Sequence, residues 1–348
     1  MCSLDISFRE IFGPDHSPEK MPALLDRFQP VNKILNVFIV LIGVPVNLAA
    51  IVILSRGKCG LSTCTTRYLV AMAAGDLLTV VIEVLLRLVV NHYFPWNFLH
   101  VTPVCRVTEV LRIAAADCSV WFTVTFTFDR FVAICCQKLK TKYCTGKTAA
   151  VVLTTTGVLS FLRSVPRYFL WEPGRIINNV PWFCRLTANT FTDLGWVVYD
   201  WLGIVLNPFI PFVVIPLLNA LTVRHIVVAS RVRKGLRGQS KGENSRDPEM
   251  ESRRRSVVLL FTLSGSFILL WMTWVLNFLY YEIKGIRFVY FNDSEWIFHR
   301  VGVLLKNFSC CTNTFIYAVT QSKFREQVIS AVKYPVTSVM QFITQAAH

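Results

Sequence analysis

Seven stretches of this chain stay apolar for long enough to cross a lipid bilayer as helices, and short links rich in lysine and arginine separate several of them. The stretches run roughly over 31–54, 68–90, 104–134, 148–171, 195–229, 255–281 and 296–319. A helix needs about 20 predominantly apolar residues to span the hydrocarbon core of a bilayer. Inside that core every backbone polar group must be satisfied within the protein, which leaves helices or closed barrels. Runs of this length without strict alternation choose helices. The fold class is therefore all-α, a seven-transmembrane helix bundle. Composition agrees, with 53% hydrophobic and 16% charged residues, against about 25% charged in soluble domains.

The net charge of +15 invites a nucleic-acid reading, but the basic residues cluster between apolar runs. Arg56, Lys58 and Arg67 form one group; Lys138, Lys140, Lys142 and Lys147 form the next. The richest group runs from Arg231 to Arg253-Arg254-Arg255, whereas 91–104 holds neither lysine nor arginine. Positive charge marks cytoplasmic connections. The N-terminus is thus expected outside and the C-terminus in the cytoplasm of a multi-pass plasma-membrane protein, without nucleic acid as a partner. Residues 1–30, mixed in charge and holding Pro14, Pro18, Pro22 and Pro30, do not read as a cleaved leader. They are expected to be an outer N-terminal segment, followed by the helical domain over 31–319. Residues 320–348 then hold an amphipathic helix beginning Ser322-Lys323-Phe324-Arg325, suited to the inner membrane surface, and a tail.

The third stretch carries the most information. From Cys105 to Arg130 it would extend roughly 37 Å as helix, with a cysteine at one face and Asp129-Arg130 at the other. Glu109, Arg112, Ala116, Ser119 and Val120 lie on one stripe between them. Ionisable groups at this depth are costly and are functional candidates by default. In the second stretch Asp76, Glu83 and Arg87 again share a face. Asp76 needs a partner: either it is protonated and hydrogen-bonded to Asn47 and Asn313, or it holds a hydrated sodium ion with Ser119, Ser309 and Asn313. Glu83, Arg87, Glu109, Arg112 and Lys306 make a charged cluster in the outer half. It can be a pocket in which Arg112 or Lys306 meets a carboxylate, or its members can pair internally, Glu83 with Arg87 or Arg112. Asp117 sits ~140° around the helix from Arg112 at 100° per residue, toward neighbouring helices, as a polar tie.

Other residues are read more plainly. Cys105 and Cys184, at the same face in an oxidising compartment, are expected to form a disulfide that ties the outer loop 172–194 over the bundle; free thiols are the alternative. The eleven cysteines show no metal-ligand spacing, so no metal site is expected. Asn292-Asp293-Ser294 is a glycosylation sequon in an outside loop. Phe267, Trp271, Trp274 and Phe278 form a helical aromatic stripe that packs rather than binds a cofactor. There is no internal repeat of the transporter kind. No assembled catalytic motif is present, and His92, His225 and His299 are scattered, so no enzyme is expected.

These residues together resemble the rhodopsin-like (class A) G-protein-coupled receptors. The resemblance rests on Asn47, Asp76, Cys105 with Cys184, Asp129-Arg130, Pro211, Phe267 with Trp271, and Asn313 with Tyr317, each in its own segment. Within that family the chain is similar to the orphan group around probable G-protein coupled receptor 139. The shared texture is Ile82-Glu83, Thr108-Glu109-Val110-Leu111, Ser164-Val165-Pro166 and Leu218-Asn219. The resemblance implies that an extracellular small molecule or peptide drives a heterotrimeric G protein, with arrestin and membrane lipid as further partners. It implies that Arg130 meets the G protein when the sixth helix swings out, that Asp129 holds it at rest, and that Tyr317 reorients inward. It implies that Val120, Pro211 and Phe267 connect the pocket to the inner face, and that Trp271 lies beneath the ligand.

The sequence departs from the family's pattern at five positions. Thr273 and Thr314 stand where the sixth and seventh helices have prolines, so those hinges are expected to be stiffer or displaced. Arg253 stands where many members carry an acid, so a resting salt bridge from Arg130 to that position is impossible and raised basal activity is expected. Receptors of the related orphan group sense aromatic amino acids through an acid and an arginine at positions that read Arg112 and Trp274 here, so that ligand is not carried over.

Overall fold

The computed structural model describes residues 23–94, 96–237, 248–284 and 292–331. Within these residues, seven long helices follow one another: α1 (Ala23–Ser55), α2 (Thr63–Tyr93), α3 (Thr102–Cys135), α4 (Gly146–Leu170), α5 (Leu194–Arg231), α6 (Pro248–Lys284) and α7 (Asp293–Thr320). The backbone of α5 stays helical to Arg237, and a shorter helix, α8, covers 322–331. The first six are long and apolar enough to cross a membrane. α7 is as long, but Arg300, Lys306, Asn307 and Asn313 dilute its apolar character. Its cysteines are buried against the bundle: Cys310 is 3% exposed and Cys311 0%.

Local sequence chemistry sets the helix ends. Ser62 caps α2 by accepting from the Thr65 N–H at 3.2 Å, and Thr145 caps α4 through the Thr148 N–H at 3.2 Å. Pro103 occupies the first turn of α3, where its missing N–H costs nothing. Asn292, read from sequence as a glycan acceptor, caps α7: it accepts from the Glu295 N–H at 3.0 Å while its own N–H donates to the Glu295 carboxylate at 2.9 Å. α1 begins at Ala23 and includes Pro30, so the expected boundary between an outer segment and the helical domain at residue 31 is corrected. The remainder of 1–30, residues 1–22, lies outside the described residues, as does most of the tail.

α3 lies at the centre, packed by α2, α4 and α5, and α7 fills the gap between α6 and α1. Gly75 lets α2 and α3 approach closely: a Cβ there would stand 3.2 Å from the Ser119 backbone nitrogen. Large apolar side chains such as Leu41, Leu159, Leu162, Val213, Leu269 and Leu276 are exposed on the outside, the surface that a lipid solvent selects. Buried Tyr68, Leu69, Met72, Phe126, Leu259, Leu263, Tyr317 and Phe324 form the core at the Arg130 end.

The segment after α4 is not a plain loop. β1 (Trp171–Ile177) and β2 (Val180–Leu186) form an antiparallel hairpin, turned at Asn178 and Asn179, both with positive φ. Cys184 of β2 is joined to Cys105 of α3, so the expected disulfide is present and fixes the hairpin across one end of the bundle. The Thr102 hydroxyl donates to the Phe183 carbonyl at 3.0 Å beside it.

α6 and α7, where Thr273 and Thr314 replace prolines, run as unbroken helices. The irregular turns lie elsewhere. Val80–Val90 of α2 is wound as π-helix, and Val205–Phe209 of α5 contains Asn207 at φ −151°, ψ 104°, outside helical geometry.

Candidate functional site

The π-wound part of α2 carries Glu83 and Arg87. Arg87 grips Glu83 with two nitrogens, at 3.0 and 2.6 Å. Across from it on α3, Arg112 places two nitrogens on Glu109 at 2.9 and 2.8 Å and a third 3.5 Å from Glu83. All of this is buried: Glu83, Glu109 and Arg112 are 4%, 5% and 7% exposed. Removing such charges from water costs several kcal/mol each unless partners replace the solvent, and the pairs do so. Internal pairing, one of the two sequence readings, accounts for these four residues.

The fifth member differs. Lys306 of α7 has no carboxylate in ion-pair contact among the described residues. Its ammonium lies 5.9 Å from the Trp271 ring centre and 5.7 Å from that of Trp274, within cation–π range. Two carboxylates therefore face three cations, Arg87, Arg112 and Lys306. The cluster has a surplus positive charge, and it falls on the residue seated over the indoles.

From Lys306 an aromatic path descends. Trp274 and Trp271 are 6.0 Å apart, Trp271 and Phe267 5.2 Å, and Phe267 and Phe212 5.8 Å. Trp271 and Phe267 then join Val120, Val124 and Ile215 in one buried cluster. Pro211 is buried as well, but the side chains that α5 brings to this cluster are Phe212, Val214 and Ile215. Trp271 also donates its indole N–H to the Ser309 hydroxyl at 3.0 Å.

That bond corrects an expectation. Ser309 faces Trp271 and donates to the Lys306 carbonyl at 2.6 Å, because the hydroxyl is nearest its own preceding turn. It takes no part in the Asp76 group. Asn47 is displaced from that group too: its amide donates to the Gly43 and Cys310 carbonyls, each at 2.9 Å, and its oxygen lies 3.5 Å from the Thr314 hydroxyl. Asp76 itself accepts from Ser119 at 2.6 Å and from Asn313 at 2.7 Å. Three of the five residues come together, linking α2, α3 and α7. Among the described residues no group of three or more His, Cys, Asp or Glu side chains is placed to hold a metal ion.

Asp117 is a tie between helices, as its position on α3 suggests. It accepts from Arg163 of α4 at 2.7 Å and, through its other oxygen, from Asn207 of α5 at 2.7 Å. Next to it Arg167 donates to Asp200 at 2.9 Å, and the Tyr199 hydroxyl donates to the Arg163 carbonyl at 2.7 Å. Gly203 leaves space for this: a Cβ there would stand 2.9 Å from an Arg163 nitrogen. Sequence reasoning does not find Arg163, Arg167, Asp200 and Asn207. The available signal is that two arginines end an apolar run opposite an acid in the next helix.

At the other end, Arg130 is 7% exposed. It donates to Asp129 through two nitrogens, and its remaining terminal nitrogen donates to the Ser256 hydroxyl of α6 at 3.3 Å. Arg130 also lies 5.8 Å from the Phe126 ring centre. Asp129, fully buried, further accepts from the Cys64 thiol at 3.1 Å. A salt bridge from Arg130 to position 253 is ruled out by the arginine there, and the α3–α6 contact is made instead by a serine one turn along. Tyr317, fully buried, packs 5.9 Å from Phe324 of α8, and Asn219 of α5 donates to Ser264 of α6 at 2.7 Å.

The chain is similar in sequence to known proteins. The FMRFamide receptor of Drosophila melanogaster is 23% identical over 301 residues, 82% of this chain and 50% of that protein. The compound eye opsin BCRH2 of Hemigrapsus sanguineus is 25% identical over 227 residues, 64% of this chain and 57% of that protein. The sex peptide receptor of Drosophila melanogaster is 24% identical over 163 residues, 44% of this chain and 36% of that protein. The chain spans about half the length of the first two. The family profile described as 7 transmembrane receptor (rhodopsin family) matches residues 46–317, most of the chain, and the protein belongs to that family.

Proposed function

We propose that this receptor binds an extracellular ligand bearing an acidic group and passes the event to a heterotrimeric G protein in the cytoplasm. One observation carries the ligand class: the surplus positive charge of a buried five-residue cluster rests on Lys306, directly over Trp271 and Trp274. A carboxylate arriving there gains a charge-assisted hydrogen bond without breaking the Glu83–Arg87 and Glu109–Arg112 pairs. It also bears on Trp271, from which the aromatic path leads to Phe267 and Val120. A ligand shifts a two-state bundle only by binding one state better, and a displaced Lys306–Trp271 contact supplies that difference.

The family is one of receptors and opsins, not enzymes. The relatives named for peptides support a peptide as one form of the ligand, its acidic group meeting Lys306. The likeness to the orphan group around probable G-protein coupled receptor 139 stays part of this reading, on the residues quoted for it. The clustering of Arg and Lys in the links that contain residues 56–67, 138–147 and 231–255 supports a hairpin facing outside and Arg130 facing the cytoplasm. On this reading α7 is the seventh span, and α8, with Phe324 inward and Lys323 and Arg325 at hand, lies along the inner lipid surface. Arg130, Asp129, Asn313 and Tyr317 form the coupling switch, with arrestin as a competing partner. Asp76, with the oxygens of Ser119 and Asn313, offers a set of hard ligands that suits sodium, once both groups turn from donating to accepting.

The test is ligand-free signalling of the surface-expressed receptor against a panel of G-protein biosensors, with Arg130→Ala alongside. Signal lost in that variant at equal surface level supports coupling through this end; signal unchanged by it overturns the reading. Small acids and acidic peptides are then screened. An acidic agonist is expected to lose at least tenfold in potency on Lys306→Met, and retained potency removes Lys306 from the ligand site.

A further inference from the structure

Lys306 leaves one charge to be answered deep in the bundle. It stands about 20 Å along α7 from Asp293, at 1.5 Å per residue. Glu83 is engaged by Arg87 and Arg112, and Glu109 by Arg112. Among the described residues the Lys306 ammonium makes no hydrogen bond to an oxygen. The two indoles cover one side of it without neutralising it. An ammonium carries three donors, and a charge left uncompensated at this depth is costly. Yet the side chain is only half-buried, so a small solute can reach it.

We propose that this site holds a halide ion, chloride under extracellular conditions, bound to the Lys306 ammonium until an acidic ligand displaces it. The competition, and the facing of this end to the outside, rest on the function proposed above; binding of the ion does not.

The charge balance chooses the ion. Two carboxylates against Arg87, Arg112 and Lys306 leave one positive charge, which a single monovalent anion neutralises and a divalent one overshoots. Glu83 and Glu109 oppose any anion, but their guanidinium partners offset them. Direct contact with the ammonium then gives the larger Coulomb gain, because that energy falls with distance. The walls supplied by Trp271 and Trp274 are largely apolar and offer little to replace a hydration shell. They favour weakly hydrated chloride, bromide or iodide over fluoride, whose desolvation costs more. A carboxylate and a halide seek the same donors, so each excludes the other. A halide at ten times its dissociation constant weakens the ligand roughly tenfold.

The experiment uses the full chain in lipid nanodiscs with iodide as the probe, since iodide quenches indole fluorescence on contact. Sodium iodide replaces sodium fluoride at constant total salt, which holds sodium, and with it any ion at Asp76, fixed. The expected result is a saturable fall in tryptophan emission that sodium chloride reverses. Lys306→Met should weaken that component at least tenfold, and Lys306→Arg, which keeps the charge, should retain it. Quenching that is linear in iodide and alike in the native chain and Lys306→Met, as an uncharged amine would give, overturns the site. A saturable component at full strength in Lys306→Met places the ion elsewhere and overturns it too. Loss in Lys306→Arg as well as Lys306→Met overturns the role of charge. No agonist or G protein enters this test, so the ion site can stand where the acidic-ligand reading fails, and fall where that reading stands.

Discussion

The hairpin half and the Arg130 half of the bundle handle buried charge in opposite ways. Toward the hairpin, five charged groups on α2, α3 and α7 are packed together, and four are tied in two-point contacts, Arg87 on Glu83 and Arg112 on Glu109. A second set, Asp117 with Arg163 and Asn207, and Arg167 with Asp200, binds α3, α4 and α5. Toward Arg130, one carboxylate and one guanidinium sit above an apolar core of Tyr68, Leu69, Phe126 and Tyr317. Among the described residues the polar tie from Arg130 to α6 is the Ser256 hydroxyl. The first half is expensive to disturb, because any lost partner strands a charge at membrane depth. The second is held by packing and a weak bond, so its helices can part at low cost. Rigidity lies where the ligand is proposed to bind, and looseness where the partner is.

The contrast can be broken most forcefully at Arg112. Arg112→Met strands Glu109 and should cost about 3–5 kcal/mol, read as loss of surface expression and a lower melting temperature. Glu109→Gln combined with Arg112→Met should recover much of that loss; a double variant no better than the single one would show that packing, not charge, is what Arg112 supplies. Asp117→Asn should cost less, about 1.5–3 kcal/mol for a hydrogen bond to a charged group, since the Arg163 side chain is 18% exposed and can still reach polar surroundings. A thermal melt beside Arg112→Met gives the order. Smallest is Ser256→Ala. Its bond to Arg130 has a charged donor but is long, 3.3 Å, so about 0.5–1.5 kcal/mol net is expected and basal signalling should rise roughly two- to tenfold at equal surface level. An unchanged basal level would mean that the apolar core alone closes this end.

Much of the architecture is legible in the residues alone. Apolar length locates the helices to within a few residues, apart from the start of α1 at Ala23, the run of α5 on to Arg237 and that of α6 back to Pro248. The Asp129–Arg130 pair is what the resemblance implies, the outward turn of Asp117 follows from helical spacing, and the Cys105–Cys184 link follows from two cysteines at one membrane face. The hairpin at Trp171–Leu186 does not, because Asn178-Asn179 is a modest turn signal among Pro173, Gly174 and Pro181. The Asp76 group is half legible. Ser119 and Asn313 reach it, whereas Ser309 and Asn47 satisfy nearer carbonyls and an indole, a choice made by side-chain rotation that no spacing encodes. The hinges are legible only in the negative. Thr273 and Thr314 announce that α6 and α7 lack their proline breaks, and nothing in the sequence of α2 announces a π-wound Val80–Val90.

By itself the sequence determined what the bilayer dictates: helices, their number and order, and which residues would be forced to find polar company. Those follow from desolvation, which acts on each residue type regardless of neighbours. Tertiary structure decided who the company is. Whether Glu83 meets Arg87 or a ligand, whether Lys306 finds a carboxylate or two indoles, and whether Arg130 reaches an acid or Ser256 depend on distances of a few ångströms between helices far apart in sequence. Coulomb and hydrogen-bond energies fall off over that same range, and only packing sets it.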